Sequence, residues 1–323
     1  MQVVAHDAVI VFFVLSGYVI AYSAKEKCRS ARDYAVARLS RLYSVVVPAL
    51  LLTLLLWPLG RELDPELYAQ YARSGTVWRY LLTLLHLNQT WLLDAYPPSN
   101  TPFWSLGYEA WYYVLFGVAW FVRPWRLRLV LVAVCALAAG PKVLLLLPAW
   151  LAGMLACFWS GRFSMERVGA VAGFAVTLVT TLAAMRWLPD WPRAPGAAPC
   201  YMSGAAISDG LTSVSWAALI WFFDCAFGRL TLPERLYGVV RWSANHTFSL
   251  YLYHAPLVIF ATALIPPLGM SLAAGVTVMA VILLVVLGLG AVTEAQRPRW
   301  QWLFGAIWDG VSARHRACAV GKV

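Results

Sequence analysis

Charge is scarce in this chain. Only 12% of its 323 residues are Asp, Glu, Lys or Arg, against about 25% in an ordinary soluble domain, while 61% are hydrophobic and mean hydropathy is +0.68. A soluble fold of this size cannot hide so much apolar surface in one core. Stretches of alternating polarity, about ten residues long, would mark a membrane barrel, and none is present. The apolar runs are therefore expected to be helices, which satisfy their own backbone amides in lipid. The six cysteines are scattered and form no CxxC, so neither a disulfide framework nor a metal site is expected. G-x-S-x-G is missing, and with it the serine-hydrolase signature. Nothing basic precedes the first apolar run, as it would in a secretory signal. Internal repeats and low-complexity tracts are also absent.

What is present is a series of apolar runs with basic residues between them. Ala8–Ser23 is followed by Lys25, Lys27, Arg29, Arg32, Arg38 and Arg41, which puts its C-terminal end in the cytoplasm. Tyr43–Pro58 returns outward to the polar segment Arg61–Arg79. Tyr80–Leu93, with His86, Asn88 and Gln89, is expected as an interfacial or re-entrant helix. Pro102–Val122 crosses inward to the basic loop Arg123–Arg128. Leu129–Ala139 and Val143–Trp159 form a short pair broken at Gly140-Pro141 and ending near Arg162 and Arg167. Val168–Trp187 goes out, Pro189–Asp209 is an external loop, and Leu211–Phe227 comes in to Arg229, Arg235 and Arg241. Asn245–Ile265 goes out, Pro266-Pro267 turns, and Ser271–Val292 returns to a tail with Arg297, Arg299, Arg314, Arg316 and Lys322. The expected fold is all-α, a polytopic membrane helix bundle of about nine transmembrane helices. It spans residues 1–297, and 298–323 form a basic cytoplasmic tail. The net charge of +10, from 25 Lys and Arg against 15 Asp and Glu, reads as a topology determinant, so nucleic acid is not an expected partner.

Four segments carry a resemblance: Phe12–Ile20 (FFVLSGYVI), Tyr34–Tyr43 (YAVARLSRLY), Trp104–Tyr113 (WSLGYEAWYY) and Phe248–Pro256 (FSLYLYHAP). In this order they resemble the acyltransferase 3 family of multi-pass bacterial membrane enzymes, over a stretch from about Ala8 to about Arg297. The resemblance implies an inner-membrane enzyme with a cytoplasmic C-terminus that O-acylates sugars of exopolysaccharide, lipopolysaccharide or related glycans. Its implied donor is acetyl-CoA or another acyl-CoA, with no metal, and its implied partners are a glycan or lipid-linked sugar acceptor and membrane lipids. Family members begin with a further helix that carries an arginine and a histidine regarded as catalytic. Only eleven residues precede Phe12 here, so the chain is expected to lack that helix, the tenth of a complete member, and to be inactive without it.

The candidate residues can be read physically beside the resemblance. Glu109 lies seven residues into the helix that begins at Pro102, roughly 10 Å below the external face at 1.5 Å per residue. A carboxylate there is costly and marks a catalytic candidate; pairing with an arginine or capping a broken helix is the alternative. Trp104, Tyr108 and Tyr112 around it form either an interfacial aromatic belt or a platform for a sugar ring. His254, near mid-membrane, is either a proton-relay group or a packed histidine bonding carbonyls that Pro256 frees. His86 either faces the glycan or is structural. Arg38 and Arg41, three apart on one helix face, match arginines of the family and suit CoA phosphates; lipid headgroups are the other use. Glu294 and Arg297 resemble a family feature and are also explained by a local ion pair. Ser16 and Gly17 read as small residues that let helices pack closely. Two readings from other classes stand beside the acyltransferase: a transporter of a small solute or lipid-linked sugar, for which no inverted repeat is visible, and a non-catalytic remnant of the family.

Overall fold

Every regular element among the described residues is a helix. The computed structural model of the chain describes residues 2–160, 162–196, 198–228, 230, 233–265 and 271–320. In order the helices are α1 (Gln2–Glu26), α2 (Ala31–Leu63), α3 (Pro65–Ala69), α4 (Thr76–Leu84), α5 (Phe103–Phe121), α6 (Trp125–Ala139) and α7 (Pro141–Leu145). There follow α8 (Leu147–Trp159), α9 (Arg167–Trp187), α10 (Ala206–Phe227), α11 (Glu234–Asn245), α12 (Thr247–Leu264), α13 (Leu272–Glu294) and α14 (Arg297–Val320). Each of the nine expected crossings falls on a helix. Six stretches are long and apolar enough to cross a membrane: Ala5–Glu26, Ala31–Leu63, Arg167–Trp187, Ala206–Phe227, Thr247–Leu264 and Leu272–Ala313. The chain is a multi-pass membrane protein. α5 is long enough, but its tyrosines, tryptophans and Glu109 dilute its apolar character, and α6 and α8 are short at 15 and 13 residues.

Two expectations need correction. The helix placed at Tyr80–Leu93 lies earlier, as α4, opened by Gly75 at φ 67° and ended before His86, whose left-handed φ of 55° stops it. His86, Asn88 and Gln89 therefore sit in irregular chain after the helix. The first helix begins well before Ala8 and takes in His6. The segment beyond Arg297 is helical, as α14. The Pro266-Pro267 turn and Arg229 lie outside the described residues, as do the side chains of Arg314 and Arg316 and all of Lys322.

The helices group into two compact units. The first comprises Met1–Arg29, Gln89–Asp94 and Gly107–Leu232, with α1 packed on α8, and α10 on both α8 and α9. Glycine makes the α1–α8 contact possible. A Cβ at Gly17 would stand 1.9 Å from the Trp150 carbonyl oxygen, and one at Gly153 1.7 Å from that of Val14. The two backbones thus touch directly, the arrangement small residues permit between membrane helices. Gly153→Val is expected to cost at least about 2 kcal/mol by overpacking, read as a lower thermal unfolding midpoint of the protein in detergent.

The break between α6 and α8 lies in the same unit. Its backbone groups are not left open: Trp91 N–H donates to Ala139 O (3.0 Å), Tyr112 OH to Val143 O (2.8 Å) and Ser203 Oγ to Lys142 O (2.7 Å). Lys142 is itself buried, its ammonium donating to Gln89 Oε1 at 2.7 Å and to the Leu93 carbonyl, 5.0 Å from the centre of the Tyr201 ring. Irregular backbone among membrane helices persists only where protein satisfies it in this way.

The second unit comprises Ser30–Asn88, Ala95–Leu106 and Pro233–Val323. Its axis is α2, started by Ser30, whose hydroxyl accepts from Asp33 N–H at 3.1 Å. At 33 residues and 1.5 Å each, α2 is about 50 Å long, well beyond a hydrocarbon core of about 30 Å. α12, α13 and α14 pack on it. α14 is fixed by a fork in which Arg32 Nε and Nη2 donate to the two carboxylate oxygens of Asp309 at 2.8 and 2.7 Å. Pro256 inside α12 has no N–H and so leaves the Leu252 carbonyl without its helical donor. Asn100 Nδ2 takes that place at 3.1 Å and reaches Thr53 Oγ1 on α2 at 2.9 Å.

Candidate active site

The first site builds on α5 within the first unit. Glu109 is 1% exposed. Its Oε1 accepts from Ser16 Oγ of α1 at 2.6 Å and from the hydroxyl of Tyr113, one turn further along α5. Ser16 Oγ in turn accepts from the indole N–H of Trp150 on α8 at 3.3 Å. A buried carboxylate is tolerable only when charged or hydroxyl groups answer it, and here hydroxyls do.

The neighbouring aromatics are packed rather than open. Tyr108 and Tyr112 are fully buried against Phe13, with ring centroids at 6.1 and 5.5 Å. Their hydroxyls are committed, Tyr108 to Ser203 Oγ at 2.8 Å and Tyr112 to Val143 O. Neither offers a face to a sugar ring, and both serve the fold around Glu109 instead. Trp104, grouped with the second unit, is buried as well. His86 is buried with its ring edge toward Tyr43, centroids 5.5 Å apart. Burial pushes its imidazole down to about 4, so it is neutral at neutral pH.

The second site lies within the second unit, where α2, α13 and the start of α14 meet. Arg41, Ser44, Asn245, Phe248, Glu294 and Arg297 line a small, partly open pocket. The Arg41 guanidinium lies 4.9 Å from the centre of the Phe248 ring, and Arg38 is buried one turn away on α2. Arg38 and Arg41 are both close enough to act electrostatically on Arg297. Arg297 Nε is buried without a hydrogen-bond partner among the described residues. The local Glu294–Arg297 pair does not form as a salt bridge among the described residues; Glu294 Oε1 instead accepts from Ser249 Oγ at 2.8 Å. Three cations against one carboxylate, with a donor in reserve, suit a multiply charged anion.

His254, also in this unit, has Nδ1 3.0 Å from Leu250 O, one turn back on α12. The carbonyl that Pro256 frees belongs to Asn100, not to this histidine. Tyr251, one turn before His254, accepts from Ser105 Oγ at 2.8 Å. Sequence reasoning missed Asn100 and Trp150 as site residues, read Ser16 only as a small packing residue, and took Arg297 only together with Glu294.

The family model of the acyltransferase domain matches residues 3–293. Among curated proteins, the acyltransferase MdmB of Streptomyces mycarofaciens is 34% identical over 112 residues, which is 34% of this chain and 27% of that protein. The chain thus spans about a quarter of that relative's length in the match. No solved structure matches.

Proposed function

This chain belongs to the acyltransferase domain family, and on that premise we propose that it moves an acyl group, acetyl in the simplest case, from acyl-CoA to a sugar hydroxyl of a cell-surface or exported polysaccharide. The membrane is the bacterial inner membrane, with the C-terminus cytoplasmic. The observation that carries the reading is the pocket of Arg41 and Arg297 beside buried Arg38. CoA bears several phosphates, and guanidinium groups bind phosphate through paired donors. The unpartnered Arg297 Nε is one donor ready for such a group.

The thioester supplies the acyl group and a thiolate leaving group. Arg38, Arg41 and Arg297 hold the phosphates. Acyl transfer to a hydroxyl also needs a group to take the hydroxyl proton and donors for the developing oxyanion. Glu109, buried and held by two hydroxyls, is the carboxylate for the acid–base part. His254 serves as a supporting hydrogen-bonding and proton-relay group, its Nδ1–H given to Leu250 O so that Nε2 keeps the lone pair.

Membranes carrying the full chain, supplied with acetyl-CoA radiolabelled in the acetyl group, are expected, on this reading and against the inactivity expected from the sequence, to incorporate label into glycan, and membranes without it are not; folded chain that transfers no label would uphold the inactive reading. Solute uptake with no consumption of acetyl-CoA would instead identify a transporter.

A further inference from the structure

We infer that Ser16 is a positioning residue of the acyl-transfer site, using its hydroxyl proton to hold and orient the Glu109 carboxylate. The inference rests on the reading of Glu109 as the acid–base group. It starts from what a hydroxyl usually does in a membrane helix, which is to donate to the carbonyl three or four residues back. This chain follows that habit repeatedly. Thr53 donates to Ala49 O, Thr181 to Thr177 O, Ser213 to Asp209 O, Thr262 to Val258 O and Thr277 to Ala273 O. Ser16 departs from it. Its hydroxyl leaves its own helix and donates across 93 residues of sequence to Glu109 Oε1 at 2.6 Å, while the Trp150 indole donates to its oxygen at 3.3 Å.

The hydroxyl has one proton to give. With Trp150 donating into the oxygen, that proton is directed at the carboxylate, and the chain of donors runs one way, from indole to hydroxyl to carboxylate. Tyr113 donates to the same oxygen, Oε1. Two donors on one oxygen fix the carboxylate plane. Neighbouring residues explain how the geometry is maintained. Gly17 and Gly153 let the α1 and α8 backbones touch, and that approach brings the Trp150 ring onto Ser16. The serine and glycine of the LSGY segment therefore have separate tasks: glycine sets the helix spacing, and serine uses the spacing to address Glu109.

The test compares Ser16→Ala, Ser16→Thr and Glu109→Gln in membranes carrying the full chain, measuring label transferred from acetyl-CoA to glycan at a series of acetyl-CoA concentrations. Ser16→Ala is expected to lower kcat about tenfold or more while the KM for acetyl-CoA stays unchanged. Ser16→Thr keeps the hydroxyl and should restore the rate. Should Ser16→Ala fail to fold, Ser16→Thr decides: a kcat near that of the unchanged protein supports the inference, and a kcat about tenfold lower with KM unchanged overturns it. A Ser16→Ala enzyme with a lower unfolding midpoint but normal kcat overturns the inference and leaves Ser16 a packing residue. If Glu109→Gln itself turns over normally, the acid–base reading of Glu109 fails. If Glu109→Gln is impaired and Ser16→Ala is not, the positioning role alone falls.

Discussion

Glu109→Gln is expected to lower acyl transfer by at least about a hundredfold, the usual scale for losing an acid–base or electrostatic participant, without unfolding the protein. The amide oxygen of glutamine can still accept from Ser16 and Tyr113 where the carboxylate oxygen does now. The helix contacts that surround the site, Phe13 on Tyr108 and Tyr112 and the two glycines between α1 and α8, are untouched. What disappears is the negative charge and the capacity to take a proton. Initial rates of label transfer, normalised to folded protein by size-exclusion chromatography in detergent, give the answer. Near-normal turnover would reduce Glu109 to a residue that ties α1 to α5.

The second large effect concerns the donor. An arginine paired with phosphate contributes about 1.5–3 kcal/mol, or roughly tenfold or more in affinity. Arg41→Ala and Arg297→Ala are each expected to weaken acetyl-CoA binding by that factor, and the Arg38→Ala/Arg41→Ala pair by more than either. Arg41 also lies over the Phe248 ring, where a planar guanidinium stacks and an ammonium does not, so Arg41→Lys should recover little. Binding to the purified full chain by calorimetry, at two salt concentrations, provides the check. Affinity that falls as salt rises is part of the expectation, since the pocket is partly open and its charges are screened. Unchanged affinity in the double alanine variant would remove CoA from this pocket.

The membrane character of the chain could be read from sequence because lipid leaves the backbone few options. α9, α10, α12 and α13 lie within a few residues of where hydropathy and basic residues put them. Glu109, Arg38 and Arg41 stood out for a related reason, being ionisable where ionisable groups are costly. Contacts between helices distant in sequence were hidden. Nothing in the order of residues says that Ser16 meets Glu109 or that Asn100 reaches the Leu252 carbonyl, since both depend on helix rotation and spacing. Glu294 and Arg297 line one pocket and act on each other electrostatically, but the hydrogen bond from Ser249 to Glu294 comes from tertiary packing that sequence proximity does not reveal. α4 was misplaced because a left-handed His86 leaves no signature in hydropathy.

The interrupted hairpin of α6 and α8 has a consequence for biogenesis. At 15 and 13 residues, about 22 and 20 Å long, neither arm reaches across a bilayer core by itself, so the translocon has to accept the two as one re-entrant or paired insertion. Two of the partners that complete the break, Trp91 and Tyr112, have already been synthesised when it emerges. The third, Ser203, has not; it follows α9 in the chain. The Lys142 carbonyl therefore waits through the synthesis of some sixty further residues before its donor arrives, and this part of the first unit can settle only after membrane insertion has moved on to α10.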